Sequence, residues 1–338
     1  MEPEDMITAL SPSDIEEIRR ALDTFRREDP EGVRSMFVHG REWRPCVAGS
    51  AAAAANRLVE ASLIEQNADG LLRSRFMIRH LEGRWLITDF PWRPERDSVF
   101  PLYPESEYFV KRMRVPEGGR ALDLCTGCGI YAIFAAERAR HVVAVDINPR
   151  ALAFAETNLA LNGVADRVEL RQGDLFEPVA GERFDYICAN PPFEPVPPGT
   201  EYYLHSDGGP DGLAAVRRLL AGFPNHLYNR GALEMVSFSL GGDGRLLLTD
   251  EVNVPRGFAG QVRILADPVS LSDFAERFRR WPGADMDVWL AENAGQGLSE
   301  LYLLFLRCQR DAAASDPESG WEVGRAEERL RAWTDPSG

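Results

Sequence analysis

The chain has 338 residues, a length that at about 150 residues per domain accommodates two domains. Hydrophobic residues make up 44% and charged residues 27%, which excludes a disordered or collagen-like chain, and no apolar run approaches the roughly 18–20 residues that cross a bilayer. With 53 acidic against 38 basic residues the net charge is −15, which opposes a general affinity for nucleic acid, where binding is mostly electrostatic. The start, Met1-Glu-Pro-Glu-Asp5, lacks the apolar stretch of a secretory signal, so a cytoplasmic location is expected. Five cysteines, Cys46, Cys125, Cys128, Cys188 and Cys308, then read as reduced thiols. The Cys125/Cys128 pair has no second pair to complete a zinc site, so no metal is expected.

Residues 1–90 read as an auxiliary or substrate-recognition domain. Ser11-Pro-Ser-Asp14 supplies an N-cap, a proline and an acidic third position. Ile15, Ile18, Leu22 and Phe25 then recur at helical spacing, predicting a helix to about Arg27. Ser50 opens an alanine-rich second helix running through Leu58 and Val59. Leu72–His80 and Arg84–Phe90 read as strands joined at Glu82-Gly83. Helices followed by a hairpin suit a small α+β module of winged-helix-like type.

Residues 91–120 form a linker that flanks the site, with a proline-rich start from Pro91 to Pro104. Residues 121–308 alternate short apolar runs with helical stretches: Arg120–Leu124, Ile130–Arg138, His141–Val145, Ala151–Leu161, Val168–Gln172, Phe184–Ala189. This is the pattern of a Rossmann-like α/β fold, a mostly parallel sheet covered by helices. Arg245–Thr249 and a helix near Ser270–Trp281 follow. Met286–Ala291 and Leu301–Cys308 read as antiparallel partners at one edge. Residues 309–338 read as a polar tail with a short helix over Glu322–Trp333.

Chemistry concentrates at the strand ends. Ala121-Leu-Asp-Leu-Cys-Thr-Gly-Cys-Gly-Ile130 is a strand ending in Asp123, a glycine turn and a helix start, where backbone can approach a ligand closely. Asp146, after the second strand, can take both hydroxyls of a ribose. Arg171-Gln-Gly-Asp174 places an acceptor where an adenine amino group could sit. Phe184–Ala189 runs into Asn190-Pro-Pro-Phe193. Four ligand-facing groups thus stand at the C-terminal ends of four successive strands, where open α/β sheets bind ligands. The Asn190 side-chain oxygen and the Pro191 carbonyl can hold the N–H groups of a planar nitrogen. Phe193 can stack on the planar group or face a cation. Glu105 and Glu107 could touch a ligand, though a solvated loop is the expected place for both.

These motifs resemble those of the class I S-adenosylmethionine-dependent methyltransferases, in the N-P-P-[FY] branch. That branch holds the HemK-type glutamine N5-methyltransferases, amino-group DNA methyltransferases and rRNA guanine-N2 methyltransferases. The resemblance covers about Val99 to Cys308 and implies a seven-stranded methyltransferase sheet and S-adenosylmethionine as cofactor. It assigns Asp123, Gly127 and Gly129 to the methionine-binding loop, where Cys125 and Cys128 replace the commoner small residues, and Asp146 to the ribose; Cys125, Thr126 and Ile147 count with the cofactor site. It assigns Asp174 with Leu175 to the adenine, and Asn190, Pro191, Pro192 and Phe193 to the catalytic tetrad. Asn190 also counts with the cofactor site. Val99-Phe-Pro-Leu-Tyr-Pro-Glu-Ser-Glu-Tyr108 and His205-Ser-Asp-Gly-Gly-Pro-Asp-Gly-Leu213 are similar to the segments flanking the fold in HemK-type enzymes. Tyr103, Glu194 and His205 are therefore candidates for the substrate pocket. The expected reaction is methyl transfer to an amide or amino nitrogen of a protein side chain or a small biosynthetic metabolite. The alternatives are an RNA or DNA base N-methyltransferase, a small-molecule O-methyltransferase and a non-enzymatic nucleotide-binding regulatory module.

Overall fold

In the computed structural model the described residues are 11–44, 50–283, 285–311 and 320–330; Cys46 and the end of the helix expected to reach Trp333 lie outside them. The first helix spans Pro12–Glu28 and starts in a capping box. The Ser11 hydroxyl accepts from the Asp14 N–H, and the Asp14 carboxylate accepts from the Ser11 N–H. Its residues Ile18, Leu22 and Phe25 are buried, with Phe25 edge-on to Phe37 and Trp43, and the helix packs on the second helix, Ser50–Glu60. Four short strands follow: β1 (Ile64–Gln66), β2 (Leu72–Ser74), β3 (Met77–Leu81) and β4 (Arg84–Thr88). β1 pairs antiparallel with β2, and β3 with β4. The single strand expected over Leu72–His80 is thus two. The break falls at Arg75 and Phe76, where the Ser74 hydroxyl donates to the Phe76 carbonyl (2.6 Å) and Phe76 turns edge-on to Phe154.

The main sheet has ten strands: β5 (Arg120–Leu124), β6 (His141–Asp146), β7 (Val168–Gln172), β8 (Phe184–Ala189), β9 (Leu227–Gly242), β10 (Arg245–Leu246), β11 (Phe258–Ile264), β12 (Val269–Ser270), β13 (Glu300–Arg310) and β14 (Trp321–Arg325). The order across it is β14-β11-β13-β9-β8-β5-β6-β7, with β10 on β9 and β12 on β13. β5 to β9 run parallel, and β13 lies antiparallel between β9 and β11. The seven-stranded Rossmann-like expectation describes β5 to β9, β11 and β13.

Four elements correct the sequence reading. The stretch beginning at Met286 is a helix, Met286–Gly295. The Asp285 side chain accepts from the Val288 N–H at its start, and Trp289 and Asn293 are buried one turn apart. The antiparallel partners of the Leu301–Cys308 strand are β9 and β11 instead. Arg245–Thr249 is a two-residue hairpin strand followed by the helix Leu247–Glu251. The helix expected from Glu322 is the strand β14, which pairs parallel with β11. β9, the longest strand, carries no continuous apolar signature because Glu234, Ser237 and Ser239 lie within it. All three are buried and hydrogen-bonded. Glu234 takes the Tyr186 hydroxyl (2.6 Å), the Arg114 N–H (3.1 Å) and the Arg307 guanidinium. Ser237 donates to the Phe238 carbonyl, and the Ser239 hydroxyl accepts from the Leu248 N–H.

Two devices dock the N-terminal region onto this sheet's helices. Asn158 and Asn162, one turn apart on the helix Pro149–Leu161 and its C-cap, use their amides as a surrogate strand along β4. Asn158 Oδ1 accepts from the Ile87 N–H and its Nδ2 donates to the Ile87 carbonyl (both 2.9 Å). Asn162 does the same with Trp85 (3.1 and 2.7 Å). Beyond β4, the buried Asp89 accepts from the Arg150 guanidinium (2.7 Å) and from the Val99 N–H (2.7 Å). That pins the irregular segment 89–103 over the C-terminal ends of the strands. Among the described residues no helix is long and apolar enough to cross a membrane.

Candidate active site

The site lies where the strand order reverses. β5 pairs with β6 on one side and β8 on the other, with Asp123 opposite Cys188 and Leu124 opposite Ala189. The loops leaving β5 and β8 therefore emerge side by side and open a crevice at the C-terminal edge, the usual ligand position in such sheets. A cavity of about 400 Å³ fills it. A second cavity of about 270 Å³ adjoins it, sharing Ser98, Phe100, Phe193, Glu194, His205 and Ser206.

The glycine turn after β5 is stitched to the end of β6. Thr126 N–H donates to the Val145 carbonyl (3.0 Å). Asp146 accepts from the Gly127 N–H with one carboxylate oxygen (2.8 Å) and from the Asn148 N–H with the other (2.9 Å). Burial raises its carboxyl above the usual range, while these N–H groups pull the other way. Each oxygen keeps a lone pair for an outside donor. Ile147, next in sequence, is 51% exposed and presents an apolar face on the cavity wall.

Cys125 and Leu175 line the same cavity and both hold a positive φ, 58° and 49°. For non-glycine residues this costs about 1–3 kcal/mol each and clusters at functional sites. Gly127 has φ +54°, and a Cβ built on it would meet nothing within 4 Å, so the cavity wall is open at this position. Asp174 lies on the wall and accepts from the Arg218 guanidinium at 2.8 Å.

Asp123 and Gly129 line neither cavity. Asp123 is fully buried under the turn. One carboxylate oxygen accepts from the Thr126 hydroxyl (2.5 Å) and the Ala132 N–H (2.9 Å). Burial pushes its carboxyl up to about 7 against those bonds. Gly129, at φ +82°, lets the next helix approach Ala155, 3.1 Å from where its Cβ would stand. Both shape the loop from below. Among the described residues no group of three or more His, Cys, Asp or Glu is placed to hold a metal.

The Asn190–Phe193 turn stands at the junction of the two cavities. The Asn190 amide donates to the Tyr131 hydroxyl at 3.2 Å, which leaves its Oδ1 as the free acceptor. Phe193 is held edge-to-face by Phe238 (centroids 4.7 Å apart). The stretch after it folds back, with Glu194 N–H on the Ser206 carbonyl and Gly208 N–H on the Glu194 carbonyl. A Cβ at Gly208 would come within 2.8 Å of Phe193 Cα, and one at Gly212 within 2.6 Å of its carbonyl oxygen. Gly208 and Gly212 thus let the His205–Leu213 segment press against the tetrad.

Tyr103 lines only the second cavity. Glu194 accepts from the Tyr202 hydroxyl (2.9 Å) and the Arg277 guanidinium (3.2 Å). His205 bridges Ser98 and Ser206 and stacks on Tyr203. Burial lowers its imidazole to about 3, so it is neutral. The sequence reading did not single out Tyr131, Arg218 or Arg277. Tyr131 was within reach, being the second residue after the glycine turn. Arg277 comes from a distant element and only packing brings it in. Glu105 is not in a solvated loop. It begins the helix Pro104–Arg112, is 5% exposed and lines the second cavity.

The family model described as "Methyltransferase small domain" matches residues 102–248. Ribosomal protein uL3 glutamine methyltransferase of Bradyrhizobium diazoefficiens is 44% identical over 124 residues, 34% of this chain and 39% of that protein. The protein of the same name from Bordetella pertussis is 34% identical over 189 residues, 52% of this chain and 63% of that one. "Putative protein N5-glutamine methyltransferase" of Methanocaldococcus jannaschii is 36% identical over 173 residues, 49% of this chain and 82% of that protein. The chain therefore spans less than two thirds of the length of the two uL3 enzymes.

Proposed function

The chain belongs to the HemK-like family of protein N5-glutamine methyltransferases, and from that premise we propose that it transfers the methyl group of S-adenosylmethionine to the side-chain carboxamide of a protein glutamine. The observation that carries the reading is Asn190. With its Nδ2 tied to Tyr131, its Oδ1 and the adjoining Pro191 carbonyl offer two acceptors on the wall of the first cavity, three and two residues before Phe193, which both cavities share.

The residues present suit the cofactor. Asp146 has spare lone pairs for two hydroxyls, Ile147 offers an apolar face, and Asp174 with Leu175 closes the far wall. Gly127 leaves open the space a side chain would fill. When bound, S-adenosylmethionine supplies an electrophilic methyl group on a sulfonium.

An amide nitrogen is a poor nucleophile because its lone pair is delocalised. Asn190 Oδ1 and the Pro191 carbonyl each accept one N–H, which fixes the nitrogen and stabilises the positive charge it gains in transfer. Proline at 191 and 192 stiffens the turn that aims these acceptors. Phe193, braced by Phe238, packs on the planar group. Orientation of this kind supplies up to ~7–11 kcal/mol of a barrier. The net charge of −15 favours a protein acceptor over a polyanionic one.

The test is incubation with methyl-tritiated S-adenosylmethionine and a bacterial lysate, followed by separation into protein, RNA and small molecules. Label should enter protein and be released as methylamine on acid hydrolysis. Label confined to RNA or small molecules overturns the reading.

A further inference from the structure

Glu105, in the first turn of its helix, lines the second cavity together with Glu194 and Tyr103. The charged and titratable groups around it come from several elements. Arg79 of β3 commits a guanidinium nitrogen to the Leu102 carbonyl. Glu194, beyond β8, accepts from Arg277 and Tyr202. Tyr131, which anchors Asn190, lies near enough to Glu105 for ionisation of either to oppose that of the other. Among the described residues no other side chain hydrogen-bonds the Glu105 carboxyl; its partner is its own backbone N–H. A buried carboxyl facing a second carboxylate, without a hydrogen-bonded cation, retains its proton. Burial and Glu194 push it up to about 8, with Arg79 opposing.

A neutral carboxyl is a hydrogen-bond donor. The groups that the tetrad offers, Asn190 Oδ1 and the Pro191 carbonyl, are acceptors and match the two N–H groups of a primary carboxamide. The carboxamide oxygen still needs a donor. Resting on the reading above, we propose that Glu105 is a specificity-determining residue that gives its O–H to the carbonyl oxygen of the acceptor carboxamide, selecting amides over amines. Tyr103 and Glu194 then form the cavity wall behind that contact.

Two measurements test it. The infrared spectrum of the full chain at pH 7 should show a protonated-carboxyl band that disappears in Glu105→Gln; a spectrum unchanged by that substitution overturns the proposal and leaves the glutamine reading standing. Methyl transfer to N-acetylglutamine N-methylamide is then followed either side of about pH 8. Wild type should hold a constant KM below that pH and lose about tenfold above it, the effect of one hydrogen bond. Glu105→Gln retains a donor and should show a flat profile, within about threefold of wild type at pH 7. Glu105→Ala should show the tenfold higher KM throughout, with kcat less affected. A Glu105→Ala profile that matches wild type overturns the proposal. No label on the probe with wild type overturns the carboxamide reading, and the proposal with it.

Discussion

Asn158→Leu keeps the branching of the side chain and removes its polarity, so it probes the clasp between the N-terminal region and the cofactor loop. Asn158 is fully buried. Besides its two bonds to Ile87 it donates to the Cys128 carbonyl at 2.9 Å, so one amide joins β4 to the glycine turn. Three bonds at about 1 kcal/mol each set a loss near 3 kcal/mol, and an Ile87 N–H left dry and unpaired moves it towards ~5 kcal/mol. Hydrogen exchange reads this locally. Protection of the Ile87 amide should fall by about two orders of magnitude, since each 1.4 kcal/mol is tenfold. Calorimetry should show S-adenosylmethionine bound about tenfold more weakly, because the freed Cys128 carbonyl loosens the turn. Ile87 protection within about threefold of wild type would refute the reasoning: β4 would then not depend on the helix for its second edge.

Asp146→Ala should weaken S-adenosylmethionine by roughly 1.5–3 kcal/mol in calorimetry, through the lost charge-assisted contact; unchanged affinity in a folded variant removes Asp146 from the site. Asn190→Ala should act on turnover, lowering single-turnover methyl transfer about 10²–10³-fold with cofactor affinity nearly intact; a wild-type rate would reduce the tetrad to a stiff turn. Glu105 and Asp123 hold their protons to about 8 and about 7 in the folded chain, above the ordinary carboxylate range. Their contribution to stability is complete below pH ~4 and is lost as pH rises through those values. Urea titrations should therefore show stability declining from about pH 4 to pH 8, with a shallower slope in Glu105→Gln. A slope unaltered by that substitution would contradict a buried, neutral Glu105.

The sequence by itself determined what is local and periodic. The Ser11 capping box, the Ile18-Leu22-Phe25 stripe, and the alternation from Arg120 to Ala189 report short-range physics and carry their own signatures. The turn around Gly127, the carboxylate ending β6 and the Asn190–Phe193 turn were legible because each is fixed to the end of a strand. Tertiary structure decided the rest. Met286–Ala291 has the apolar content of a strand, and its helix follows from the Asp285 cap and the burial of Trp289 and Asn293. β9 is a strand despite Glu234, Ser237 and Ser239, because other elements supply partners for Glu234 and Ser239 and the strand's own Phe238 carbonyl takes the Ser237 hydroxyl. Residue 322 onward reads as helix in isolation, yet the free edge of β11 recruits 321–325 as a strand. The same holds for individual side chains. Asp123 has the type and position of a ligand-facing carboxylate but lies beneath the loop. Glu105 has the look of a solvated acid but is shut into a cavity wall. A sequence states that a group can ionise; only the packing around it sets whether water, a cation or another carboxylate stands beside it, and so whether it does.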